Sequence, residues 1–148
     1  MNIKLFQELA HIVDKDIKVE YGECFEAEID IKTIRIPEHM ENDFEDALHP
    51  YLLIDLGFNY HLYCNDYVFK FLHELGHIVN GFIDIDAYSL EIYALKDLWD
   101  KGKTSEYKCI SIYMNTVEEM YANMWAYDFI KSNRSYIKKL SKEIENDK

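Results

Sequence analysis

The 148-residue chain is short of positive charge: 16 Lys and Arg stand against 28 Asp and Glu, a net charge of −12 with a pI near 4.8. Binding to a phosphate backbone or an anionic membrane needs clustered Lys and Arg, so direct contact with nucleic acid or a membrane is not expected. Cysteine is also scarce. Cys24, Cys64 and Cys109 are an odd number at wide spacing with no C-x-x-C, which argues against a disulfide framework or a cysteine zinc site and suits reduced thiols in a cytoplasm. No segment reaches ~18 consecutive apolar residues, and Gln7 and Glu8 interrupt the N-terminal stretch where a secretory leader would be unbroken. A soluble, cytoplasmic protein is expected. Internal repeats and low-complexity tracts are absent as well.

What is abundant is aromatic side chain, 12 Tyr and 8 Phe, in a composition otherwise ordinary for a globular protein. A chain of this length can bury about two-thirds of its unfolded surface in one core. Residues 1–131 are therefore expected to form one domain, and the polar stretch 132–148 a frayed tail. Ile3, Phe6, Leu9, Ala10 and Val13 fall at helical spacing. From Ile17 to Pro37 the pattern changes to short alternating runs, such as Phe25-Glu26-Ala27-Glu28-Ile29 and Thr33-Ile34-Arg35-Ile36, which predict a small antiparallel sheet of about three strands. The acidic stretch Glu38, Glu41, Asp43, Glu45, Asp46 runs into Pro50, predicting a helix, a break at the proline and a short element after it. Residues 84–100 and 116–131 read as further helices, so the fold class is α+β, with the sheet packed against a helical part.

The pattern with the most chemical content is His73-Glu74-Leu75-Gly76-His77, an H-E-x-x-H. Asn65 or Asp66 can cap a helix whose apolar stripe is Val68, Phe71, Leu72, Leu75 and Val79, ending near Gly81. On that helix His73 and His77 lie about 40° apart, away from the stripe, and Glu74 is turned about 100° from His73. Both imidazoles can then reach one ion while the carboxylate flanks it. The same pattern would suit a merely solvated face, but Gly76 does not: glycine inside a helix costs about 1 kcal/mol relative to alanine and points to a backbone passing close by.

Two histidines leave a catalytic zinc short of protein donors, and a third His or a Glu usually completes the set. Glu119 is the candidate. On its helix Val117, Met120, Tyr121 and Met124 share one apolar face, while Glu119, Ala122, Asn123 and Ala126 share the opposite one, where two alanines allow close approach to Gly76. Asn123, one turn on, could accept from the outer N–H of His73 and fix its tautomer. The alternative is that Thr116-Val117-Glu118-Glu119 spells a capping box, with Glu119 bonded back to its own helix start; Asn115 as cap with Glu118 would free Glu119.

With H-E-L-G-H followed by E-x-x-A-N-x-aromatic-A, the chain resembles the ImmA/IrrE family of gluzincin metallopeptidases over roughly residues 17–130. The resemblance implies that His73, His77 and Glu119 bind one Zn²⁺, that Glu74 is the catalytic carboxylate, and that a small sheet packs on helices. It further implies cleavage or inactivation of a protein partner, such as a helix-turn-helix repressor of a mobile element or stress switch. Residues 78–118 are longer than the family's connection, and Tyr127-Asp128-Phe129-Ile130 replaces its Leu-rich, Pro-ended continuation. In such a site zinc supplies Lewis acidity while Glu74 takes a proton from the attacking water and passes it to the departing amine. Tyr88, Tyr113 and Tyr121 are candidate oxyanion donors, and the strand at Thr33–Ile36, if at a sheet edge, a candidate peptide dock. His11, His39, His49 and His61 have no partner at ligand spacing. The alternative function is a zinc-stabilised, non-catalytic protein that sequesters a regulator.

Overall fold

The computed structural model describes residues 1–39 and 48–146. A helix leads into three short strands, and six helices follow: α1 (Ile3–Val13), β1 (Lys18–Gly22), β2 (Glu26–Glu28), β3 (Thr33–Pro37), α2 (Leu48–Asp55), α3 (Asp66–Asn80), α4 (Ile85–Asp100), α5 (Glu106–Met114), α6 (Val117–Ser132) and α7 (Arg134–Asn146). The α+β class with a small sheet is thus as expected.

The order and direction of the strands are not. β3 lies in the middle, parallel to β1 from Lys18↔Thr33 to Gly22↔Pro37 and antiparallel to β2 through Glu26↔Arg35 and Ala27↔Ile34. The sheet is mixed because the chain leaves β1, crosses to the far edge as β2 and returns between the two as β3. Ile34 and Ile36 of β3 are fully buried, which suits a central strand. Thr33–Ile36 is therefore no edge. The free edges are those of β1 and β2, and the first is covered: the Gln7 amide of α1 donates to Ile17 O at 2.8 Å and accepts from Val19 N at 2.9 Å.

α1 packs Phe6, Leu9 and Ala10 into the core against Phe71 of α3, with the Phe6 and Phe71 ring centroids 4.8 Å apart. α3 is the central helix. It starts at Asn65, whose side chain accepts from Val68 N at 3.0 Å, and ends at Gly81, where φ of +64° is a conformation that glycine adopts without strain.

Residues 134–146 are not a frayed tail but helix α7, which buries Ile137, Leu140 and Ile144. Asn65 Nδ2 donates to Ser141 O at 3.1 Å and ties α7 to the start of α3. Pro50 does not break a helix either: it sits in the first turn of α2, where a missing N–H costs nothing. The helix expected before it falls on residues 40–47, outside the described residues. α5, which the sequence reading did not anticipate, starts where Ser105 Oγ accepts from Lys108 N. Among the described residues no helix is long and apolar enough to cross a membrane.

Candidate metal centre

α3 turns Val68, Phe71, Leu72 and Leu75 into the core and leaves His73, Glu74 and His77 half-buried on its other side. Val79, expected in the stripe, is exposed beyond the edge of the core. α6 lies against that polar side. A Cβ added to Gly76 would stand 2.7 Å from Ala122 O and 3.0 Å from Ala122 Cα, so the two backbones touch where any side chain would separate them. The small-and-polar face of α6 is the one that is buried, with Glu119, Ala122, Asn123 and Ala126 inside, whereas Tyr121 and Met124 of its apolar face are exposed. Close backbone approach and burial of Glu119 and Asn123 outweigh side-chain hydrophobicity in orienting this helix.

The contact brings together the residues named from sequence. His73 Nε2 is 2.9 Å from Glu119 Oε2, His77 Nε2 is 3.5 Å from Glu119 Oε1, and the two Nε2 atoms are 3.1 Å apart. A tetrahedral ion with bonds of about 2.0–2.1 Å separates its ligand atoms by about 3.3 Å. His73, His77 and Glu119 therefore converge at the spacing a single metal ion needs, and they form a group that could hold one. Glu119 is not a cap: its carboxylate meets the histidines, and Thr116 at the helix start makes no side-chain cap bond, its hydroxyl donating instead to Tyr113 O at 2.8 Å.

Asn123 is where the expectation put it, with Oδ1 2.7 Å from His73 Nδ1. An amide oxygen only accepts, so Nδ1 carries a proton, and Nε2 is the atom left to face the centre. The other atom of the Asn123 amide, Nδ2, is buried without a partner among the described residues, so the histidine is what orients this side chain.

Electrostatics fit a site for a cation. Burial works against a charged His73, but the Glu119 and Glu74 carboxylates outweigh it and raise its pKa to about 9. Burial likewise opposes ionisation of Glu119, yet its bonds to His73 and His77 prevail and hold it well below the usual carboxylate range. In the ion-free chain a proton thus sits between His73 and Glu119, in the position a metal would take. Glu74 differs from them. Burial raises its pKa, it lies outside the three-ligand group, and its carboxylate accepts a hydrogen bond from the backbone of Ala27 in β2.

A cleft of about 350 Å³ opens beside the centre, walled by β2 and the 3-10 turn after it on one side and by Glu74, His77 and Glu119 on the other. Tyr88 of α4 and Tyr113 of α5 line it, whereas Tyr121 points outward and is about half exposed. Burial and the neighbouring Glu119 carboxylate push the Tyr113 phenol up, and its hydroxyl lies within bonding reach of Glu119 and Tyr88.

Glu118 was missed as a site residue. It is buried beside Glu119, and its Oε1 accepts from Ile83 N and Asp84 N, both at 2.9 Å, fastening the turn between α3 and α4 to the first turn of α6. No local signal could have separated this long-range role from capping. His11 pairs with Gln7, His61 lies 3.4 Å from Asp66, and neither approaches the centre. No protein-family model matches the chain, and neither a curated protein nor a solved structure does.

Proposed function

We propose that the chain is a zinc-dependent endopeptidase of the ImmA/IrrE kind, acting in the cytoplasm on a protein substrate such as a helix-turn-helix repressor. The observation that carries this reading is the meeting of His73, His77 and Glu119 at ligand spacing, with Glu74 alongside but outside the ligand group. Two nitrogens and a carboxylate oxygen are a donor set that suits zinc and leaves a position open.

Zinc, when held there, supplies Lewis acidity toward a scissile carbonyl and acidifies water. The chain's own groups do the rest. Glu74, with its pKa raised by burial, is a competent base for the attacking water and a proton donor to the departing amine. The Ala27 N–H that holds Glu74 points out of the sheet, so Ala27 C=O faces the same free edge and can accept from an extended peptide lying along β2. This moves the docking role from β3 to β2. Tyr88 is the better oxyanion donor of the two tyrosines in the cleft, because the Tyr113 hydroxyl is engaged with Glu119.

The second reading, a zinc-stabilised protein that sequesters a regulator, draws support from α4, which buries none of its residues and exposes Leu90, Tyr93 and Trp99. The two readings part at Glu74. Under the peptidase reading Glu74→Gln keeps one zinc per chain by metal analysis and loses cleavage of the partner by at least about 100-fold. Undiminished cleavage by that variant would remove Glu74 from the chemistry; no cleavage by the unmodified protein, with the partner still bound, would favour sequestration.

A further inference from the structure

Phe82 is an exposed aromatic on a fastened turn. It is 52% exposed, yet the residues on both sides of it are fixed: Gly81 N closes α3 on His77 O at 2.9 Å, and Ile83 N and Asp84 N both donate to buried Glu118. Asp84 is itself occupied as the cap of α4, accepting from Ala87 N at 3.0 Å. The chain thus spends a buried carboxylate on the turn that carries Phe82, and that turn borders the cleft.

Phe25 and Ile29, either side of edge strand β2, line the same cleft as Phe82 and His77. The charged side chains lining the cleft are all carboxylates, Glu26, Glu74, Glu118 and Glu119, and no Lys or Arg is among them. A partly exposed phenylalanine that shares a cleft with two further apolar side chains gains by being covered with apolar surface, and the carboxylates of Glu26 and Glu118, which lie outside the ligand group, disfavour an acidic one.

We infer that Phe82, Phe25 and Ile29 form a subsite for one apolar side chain of a bound peptide, that Glu118 is the positioning residue that sets its depth, and that acidic residues are rejected there. This rests on the peptidase reading for its ligand, a peptide lying in the cleft, but not on turnover.

The test uses the full-length, zinc-loaded Glu74→Gln protein as a trap that does not cut, with labelled peptides of one length in which a single central position is varied, read by fluorescence anisotropy. Leu, Met or Phe at that position should bind about tenfold or more tightly than Asp or Glu. Adding Phe82→Ala should erase that preference while zinc content stays at one per chain, which separates loss of the subsite from loss of the fold. Glu118→Ala should weaken the preference and Glu118→Gln restore it, since a glutamine oxygen accepts the same two N–H groups. An unchanged preference in the Phe82→Ala background, a preference for acidic residues, or no peptide binding at all overturns the inference. Selective binding by the trap together with no cleavage by the unmodified protein would sink the peptidase reading and leave the subsite standing. Cleavage without a preference dependent on Phe82 would do the reverse.

Discussion

Two helix pairs in this molecule are built on opposite terms. Where α3 meets α6, Gly76 touches the backbone of Ala122, Ala122 and Ala126 are fully buried, and the side chains of His73, His77 and Glu119 meet between the helices. The α4–α5 hairpin buries nothing from α4 and presents Leu90, Tyr93 and Trp99 to water. Its attachment to the α3–α6 pair includes the two backbone bonds accepted by Glu118. One pair has no room for adjustment, while the other has few contacts to lose. The candidate metal ligands sit on the first, and Tyr88 and Tyr113 of the second line the cleft beside them.

The sharpest way to break this contrast is to add the same side chain to each pair. Gly76→Val forces atoms onto the Ala122 backbone, and we expect a loss of about 3 kcal/mol or more in denaturant unfolding, with loss of metal binding. Ala94→Val on exposed α4 should change stability by no more than about 0.5 kcal/mol. Equal effects would mean that the two helix pairs are not as different as the packing indicates.

A smaller effect is expected one layer out from the ligands. Asn123→Ala leaves His73 Nδ1 without its acceptor and should weaken zinc binding about 10- to 100-fold in competition with a chelating dye. Substitution of exposed Tyr121, on the opposite face of the same helix, should leave that affinity unchanged.

The pH dependence should differ between the ion-free and loaded proteins. The His73 pKa is raised from 6.5 to about 9, so the proton it shares with Glu119 stabilises the ion-free fold fully below about pH 6.5 and stops doing so as pH rises through about 9. Metal needs that proton gone. Apparent zinc affinity should therefore climb about tenfold per pH unit toward pH 9 and level off beyond, with about one proton released per ion below that range. Isothermal titration in two buffers of different ionisation enthalpy measures this. The Glu119 shift has the opposite sign: its contribution is present above its ordinary range near 4.5 and is lost as acid protonates it.

How much of this was legible in the sequence follows from where each signal is local. The meeting of His73, His77 and Glu119, with Asn123 behind His73, could be read because all four stand on periodic helices and because Gly76 answers Ala122 across the gap. Strand direction could not, since alternation in Ile34 and Ile36 reports which face is buried and says nothing of which strand lies alongside. α7 was hidden by composition: three apolar positions, Ile137, Leu140 and Ile144, are its buried apolar stripe within a lysine-rich stretch. Glu118 resembled a cap because its true partners lie 34 and 35 residues away.

The central claim is that α3 and α6 together hold one cation. It is tested most directly by a zinc-edge anomalous crystal structure of the untagged, zinc-loaded protein. We predict a single anomalous peak within about 2.0–2.2 Å of His73 Nε2, His77 Nε2 and a Glu119 oxygen, with the Glu74 carboxylate unligated beside it. A peak elsewhere, or one held by the histidines while Glu119 turns away, would contradict it.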